Sequence, residues 1–497
     1  MERKWWTLLA TCVAMFMLLL DITIVNVALP EIQRDLDASF SDLQWVVDAY
    51  SLTLAALLLT AGSLGDRLGR RAVFAAGFAI FTVASLLCGL ATNPDFLNAA
   101  RALQGVGGAA MFATTLALIA QEFKGPERAT AFGIWGATVG GAVAIGPLVG
   151  GALTDGLGWE WIFFVNVPIG IAAIALTLTR LAESRDREAV RVDWPGVAAF
   201  SAALFLLVFA LVRGNAEGWS SLQITGSLIG AAVLLCLFVA IELRSEHPMF
   251  DLALFRKPSF VGVSAVAFAL SAAMFSMFLY ITIYVQSVLG YDPFEAGLRF
   301  LPITLLSFFV APAAGRLLNR VPARAFFGLG LALVGVGLLL MRGLTPESDW
   351  TALLAGFIVA GAGIGLTNPA IASTAVGVVS TTKAGMGSGI NNTFRQVGIA
   401  TGIAGWGAIF ESGIAARLPA DAPSGAAEGI ASAGTRPAAE GGPQAVDAAT
   451  QAFVGSLNEL FLIAALVAFA GAALGLALAR ERDLIPHAAP EVEPVPG

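Results

Sequence analysis

The chain has 497 residues, 57% of them hydrophobic and only 13% charged, with a formal net charge of −7. A soluble chain carries about a quarter charged residues, so most of this surface faces something other than water. No basic tract with interleaved aromatics is present, which argues against a nucleic-acid partner, and Cys12, Cys88 and Cys236 all fall in apolar stretches, as small core residues do rather than disulfide or metal frameworks.

Apolar windows of about 20 residues, the length that crosses roughly 30 Å of hydrocarbon, recur along the whole chain. The pattern predicts spans near 6–28, 44–64, 72–92, 96–120, 130–152 and 162–182, then near 195–213 and 222–243. A second group follows near 259–283, 294–314, 324–343, 351–375, 389–411 and 456–480, giving about fourteen helices. The opening "MERKWW" and its apolar run are too long for a signal-peptide core and lack a small-x-small cleavage site, so they read as a retained first helix. Basic residues fall in alternate loops, for example Arg67, Arg70, Arg71, Lys124, Arg128, Arg316, Arg320, Arg324 and Lys383, with few, such as Arg34 and Arg213, on the other side. By the positive-inside rule both termini are expected in the cytoplasm.

The expected organisation is an N-terminal six-helix bundle over 1–182, two inserted helices with linkers over 183–258, and a C-terminal six-helix bundle over 259–480. A flexible outer loop is expected near 412–455, rich in Gly, Ala and Pro, and a disordered cytoplasmic tail over 481–497. Gly62, Asp66, Arg67 and Arg71 are echoed by Gly315, Asn319, Arg320 and Arg324, the trace of repeated halves that place a substrate site between them.

The most specific motif is Gly62-x-x-Gly65-Asp66-Arg67-x-Gly69-Arg70-Arg71. Its glycines allow close helix approach and a tight turn, Asp66 can cap a helix or pair with arginine, and the arginines anchor the loop. A plain basic loop explains neither the glycines nor the acid. Arg101-x-x-Gln104-Gly105-x-Gly107-Gly108 puts an arginine inside an apolar span, where it needs a partner or a wet cavity unless it snorkels to the outer end. The fifth helix carries Gly146-Pro147 and Gly150-Gly151, a packing motif with a potential kink.

These stretches, "GSLGDRLGRR", "RALQGVGGA" and "AIGPLVGG", resemble signature motifs of the major facilitator superfamily. "LDITIVNVALP", "WIFFVNVPIG", "INNTFRQVG" and the inserted pair are similar to its fourteen-span drug:proton antiporter branch (EmrB/QacA-like). Ala142 stands where glycine is usual, and Glu160 where arginine is common. The resemblance implies an all-α polytopic membrane protein with the major facilitator fold. It also implies proton-driven export of amphipathic or cationic drugs by alternating access in the bacterial cytoplasmic membrane. No cofactor beyond the proton gradient is expected, and the protein is expected to act as a monomer; a periplasmic adaptor is neither indicated nor excluded.

Few ionisable groups are embedded. Asp21 in the first helix, Asp48 in the second and Arg101 in the fourth share the outer half, and a carboxylate moved between a desolvated and a guanidinium-paired environment binds and releases a proton. These three are the expected proton-coupling residues; the alternative is a fixed structural ion pair. Candidate cavity residues are Asn26, Phe275, Phe278, Tyr280, Tyr284, Gln286, Asn391, Asn392, Arg395, Gln396 and Glu411, although such aromatic stripes are more often helix packing. A dedicated exporter of one metabolite (antibiotic, siderophore or lipid) is the alternative function. A polytopic membrane enzyme is a distant one, because His247 and His487 lie in loops and no metal or nucleophile motif accompanies them.

Overall fold

A computed structural model describes residues 2–184, 193–245, 250–380, 383–419 and 422–483. Arg185, Arg187, Arg191, His247, His487 and the tail from residue 484 lie outside the described residues, as do the side chains of Asn26 and Pro147.

Apolar runs fold as helices because only a helix satisfies every backbone N–H and C=O inside its own segment in lipid. The long helices are α1 (Arg3–Asp35), α2 (Phe40–Leu68), α3 (Arg70–Gly89), α4 (Pro94–Glu122) and α5 (Gly125–Leu157). They continue as α6 (Trp161–Arg180), α7 (Trp194–Glu217), α8 (Leu222–Glu242), α9 (Pro258–Val288) and α10 (Pro293–Leu317). The last four are α11 (Ala323–Leu340), α12 (Leu354–Gly377), α13 (Ala384–Ala415) and α14 (Pro443–Leu478). Thirteen of these are long and apolar enough to cross a membrane. The glycine-rich α5, 33 residues long, runs between α1 and α10 as the fourteenth.

Local chemistry sets the boundaries. Ser39 and Asp42 form a capping box at α2, while Asn93 with Pro94 and Asp292 with Pro293 start α4 and α10. Gly69, at φ 116°, makes the turn between α2 and α3, a conformation costly for any residue with a Cβ. α6 breaks between Phe164 and Asn166, because Pro168 lacks the N–H that would bond the Phe164 carbonyl. α9 contains two π-helical stretches, Ser271–Phe275 and Tyr284–Val288.

The outer loop expected near 412–455 is more ordered than its composition suggests. α13 runs on to Ala415, a short helix covers Ala426–Ala433, and α14 starts at Pro443. Ile430 anchors the short helix in the core beside α9, and Thr435 Oγ1 donates to the Ser287 carbonyl at 2.9 Å. Ala449, Ala452 and Phe453 are sealed in that core, so burial extends the helix where hydropathy alone falls short.

α1–α6 pack around the buried Phe74, Phe78, Phe81, Phe132 and Trp135, and α9–α14 around a second core that includes Phe327, Phe357, Phe453 and Phe461. The inserted pair α7–α8 is not a distant appendage. Val208, Phe209 and Ala210 of α7 pack with Leu52 and Ala55 of α2 and Ala400 of α13, so α7 lies over the edge of the seam between the bundles. α8 turns Leu222, Ile229, Val233 and Leu237 outward, an apolar surface suited to lipid. Arg3 reaches Glu122 at the end of α4, Lys257 reaches the Val378 carbonyl, and Ser259 bonds the backbone of Arg480. The beginning of α1 and the end of α14 therefore share one face, hereafter the basic face.

Candidate functional site

Asp21 sits just past the middle of α1 and is fully buried, as is Arg101 of α4. Arg101 Nη1 donates to Asp21 Oδ2 at 2.6 Å, and Gln104 Nε2 donates to Oδ1 at 2.8 Å, so both carboxylate oxygens are occupied. The i, i+3 spacing of Arg101 and Gln104 stacks them on one face of α4. Arg101 Nη1 also donates to Gln104 Oε1 at 2.5 Å, and Arg101 Nε to the Val46 carbonyl at 2.9 Å. Gln104 Nε2 in addition donates to Ser85 Oγ at 2.9 Å, tying α1, α2, α3 and α4 to one polar node. The guanidinium lies 4.5 Å from the Tyr50 ring centroid and 5.8 Å from that of Phe163. Tyr50 Oη lies beside it, buried and without a hydrogen-bond partner among the described residues.

Gly105 and Gly107 make this node possible. A Cβ at Gly105 would lie 2.5 Å from the Tyr50 carbonyl, and one at Gly107 2.5 Å from the Phe81 nitrogen, so α4 approaches α2 and α3 through bare backbone.

Asp48 belongs to a different pair. Arg213 of α7 lies 3.8 Å from it and also donates to Gln44 at 2.7 Å and Glu217 at 2.9 Å, over the Trp45 ring. The three expected proton-coupling residues are therefore not one cluster: Arg101 serves Asp21, while an arginine of the inserted helix serves Asp48. Packing of α7 against α2 brings this about, and nothing in the local sequence near Asp48 announces it.

At the basic face the glycine–acid motif joins the two bundles. A Cβ at Gly62 would lie closer to the Gly385 carbonyl oxygen than any real contact allows, so α2 and α13 cross on bare backbone. Asp66, buried, accepts N–H bonds from Gly385 at 2.9 Å and Met386 at 2.8 Å, capping α13 from another helix. Arg70 grips the same carboxylate through Nε at 2.9 Å and Nη2 at 2.7 Å. Arg71 does not reach the seam: its N–H and that of Ala72 donate to Glu183 Oε1 and Oε2 at 3.0 and 3.1 Å, holding the α2–α3 turn to the end of α6. Gly65 packs on Thr114 of α4 within its own bundle. The echo of this motif makes the matching crossing, with Gly315 of α10 against the backbone of Ala129 and Gly133 of α5.

The α5 glycines divide the labour. Gly146 and Gly150 press on Thr23 and Ile24 of α1, whereas Gly151 faces open space and contributes no crossing, a correction to its place in the packing motif. Gly133 and Gly140 instead meet α10 of the other bundle.

In the second bundle, Arg395 Nη1 donates to Asn368 Oδ1 at 3.1 Å, and its guanidinium lies 5.6 Å from the Phe275 ring. Asn391 and Asn392 are buried beside it, each with an unpartnered amide atom, while Gln396 is half-buried. Phe275 meets Phe278, and Phe278 meets Phe300, a half-buried aromatic wall. Tyr280 and Tyr284 do not join it: Tyr280 bonds the Ile403 carbonyl and packs on Phe410, and Tyr284 packs on Phe453. Phe275 closes the first π stretch and Tyr284 opens the second, with α-helix between them, and Tyr280, five residues after Phe275, is turned about 140° away from it around the helix. Gln286 and Glu411 are half-buried near the opposite face. Gln104 stands in the sequence motif that follows Arg101, and Arg213 among the few basic residues of the outer side, but neither was given a role at the site; Asn368 and Gly385 carried no sequence signal.

Two six-helix bundles joined along glycine crossings, with paired charge buried inside apolar spans, have the architecture of a membrane transporter. The family model for the Major Facilitator Superfamily matches residues 11–403, and the chain belongs to that family. It is 39% identical over 414 residues to Multidrug resistance protein Stp of Mycobacterium tuberculosis, covering 83% of this chain and 77% of that protein. It is 33% identical over 516 residues to the Tetracenomycin C resistance and export protein of Streptomyces glaucescens, covering 99% of this chain and 95% of that protein. Among solved structures, the proton:xylose symporter XylE matches with a TM-score of 0.65 at 11% identity, covering 96% of each chain, a likeness of fold.

Proposed function

We propose that this protein is a proton-coupled exporter of amphipathic or cationic compounds in the bacterial cytoplasmic membrane, with its basic face in the cytoplasm and acting as a monomer. The observation that carries the coupling is the Asp21–Arg101–Gln104 node, a desolvated carboxylate held by two donors in a helix next to the transport seam. A proton on Asp21 would exchange an ion pair for a neutral hydrogen bond and release Arg101 toward the aromatic faces beside it, a change of charge that a bistable bundle can read. The clasp of Asp66 on α13 fits a state closed to the cytoplasm and open outward, and Phe275, Phe278 and Arg395 would then line the central path. The names of the relatives support export of drug-like compounds.

The near full-length match to a protein named for one antibiotic favours a second reading, an exporter dedicated to a single metabolite. Inverted vesicles carrying the protein, with an imposed pH gradient and a panel of dyes and drugs, separate the two. Substrate-induced proton movement across several cations supports the broad exporter. Silence across the whole panel, with the gradient intact, would sink it in favour of the dedicated one.

A further inference from the structure

The repeat of the glycine crossing is not accompanied by a repeat of its charge chemistry. Where Asp66 meets the start of α13, the equivalent position Asn319 faces the region of α5's start without a carboxylate, and the neighbouring residue on α5 is Arg128. Arg128 is 9% exposed, and its Nε and Nη2 have no hydrogen-bond partner among the described residues. Its one ring contact is Phe132, at 5.7 Å, which supplies no counter-charge.

Arg128 lines a cleft of about 270 Å³ on the basic face. Asn319 from the α10–α11 turn, Arg324 at the start of α11, Ser373 and Thr374 of α12, and Arg480 after α14 complete its polar wall. None of the described lining residues is acidic. Asp483, close by in sequence to Arg480, is engaged by the Ser259 N–H at 3.1 Å. α5 itself starts in the cleft at Gly125, φ 55°, and its N-cap position, Lys124, makes no side-chain capping bond; the acid of its first turn, Glu127, is exposed and paired with Lys4 of α1 at 2.9 Å, so the first N–H groups of this 33-residue helix have no side-chain cap.

We propose that this cleft binds a phosphate-type anion, a free phosphate or the phosphate of an anionic lipid headgroup, between α5 of one bundle and α10, α12 and α14 of the other. A buried guanidinium without a partner is costly, and a tetrahedral dianion supplies acceptors for its free N–H groups, for the two rim arginines and for the start of α5 at once. Because these groups come from both bundles, the bound anion replaces the missing carboxylate of the second crossing and holds the basic face shut. The first crossing carries its own clamp in Asp66; the second borrows one from solution or from the membrane.

The test uses the full-length protein in phosphatidylcholine nanodiscs, titrated with inorganic phosphate against chloride at constant ionic strength, with Tm as the readout. The expected result is a saturable rise of about 4 °C, absent in Arg128→Gln and kept in Arg244→Gln, an exposed basic residue at the end of α8. Nanodiscs containing phosphatidylglycerol, without phosphate, form the second arm. A rise there that depends on Arg128, with none from phosphate, assigns the site to a lipid headgroup. If Arg128→Gln fails to fold, Arg324→Gln and Arg480→Gln on the exposed rim carry the test, each expected to raise the half-saturating phosphate concentration about tenfold. No rise in either arm, or an equal rise in the arginine variants, overturns the proposal.

Discussion

At the scale of single residues, the decisive fact is that Asp21 and Arg101 are each fully buried and each dependent on the other. Removing one partner of such a pair leaves an uncompensated charge and costs about 3–5 kcal/mol, whereas neutralising both together costs far less. Arg101→Ala is therefore expected to lower Tm strongly in detergent, and Asp21→Asn in the same chain to recover a large part of the loss. Additive losses in that double-mutant cycle would show that the pair is not coupled. Asp21→Asn alone keeps the shape of the site and an acceptor for Arg101, so it is expected to fold and to lose substrate-induced proton movement. Full proton-driven export with an unchanged pH profile would remove Asp21 from the mechanism. Asp21 and Arg101 were legible in the sequence because a charge in a span is expensive and must find company. The pairing of Asp48 with Arg213 was not, because Arg213 reads as an ordinary residue near a helix end until α7 is laid against α2.

At the scale of elements, glycines decide which helices meet. The crossing of α2 and α13 at Gly62 and Gly385 is backbone on backbone, so any side chain at Gly62 must push the helices apart. Gly62→Val is expected to cost about 1.4 kcal/mol of the clasped state relative to one in which α2 and α13 separate, about a tenfold shift in population. Ser388, fully buried on α13 beside this crossing, reports the shift. In a background without Cys12, Cys88 and Cys236, Ser388→Cys is expected to react about tenfold faster with a membrane-impermeant maleimide in inverted vesicles when Gly62 is valine. An unchanged labelling rate would mean that the crossing does not set the equilibrium. The motif around Gly62 was readable as chemistry, and its partner was not, because "AGMGSG" in α13 gives no sign of which helix it will face. The same limit explains the outer segment: "GIASAG" looks like linker until Ile430 is placed in the core.

At the scale of the whole molecule, the two bundles touch along two seams, α2 with α13 and α5 with α10, and alternating access requires both to part on the basic face. The α5–α10 seam offers a direct test of this motion. A Cβ built at Gly140 lies 3.6 Å from the Ser307 Cβ, inside the range of about 3.5–4.5 Å found in disulfides. Gly140→Cys with Ser307→Cys, in the cysteine-free background, is therefore expected to oxidise readily in the conformation described here, because neither backbone has to move. A disulfide there joins the first bundle to the second and forbids their rotation about the seam. Transport is expected to fall to background on oxidation and to return when dithiothreitol reduces the bond, while each single-cysteine variant stays active and indifferent to oxidant. Complete cross-linking with undiminished transport would mean that the bundles do not separate along α5 and α10, and the path would then have to open within one bundle rather than between two. The two crossings also differ in what holds them: Asp66 supplies a covalently attached anion to α13, while the described residues lining the cleft at the start of α5 include no carboxylate, Glu127 of its first turn being paired with Lys4 of α1. Release of the α5–α10 seam is thus the step most exposed to the ionic content of the basic face, and the disulfide, by closing that seam permanently, should abolish any dependence of Tm on phosphate that passes through opening of the seam.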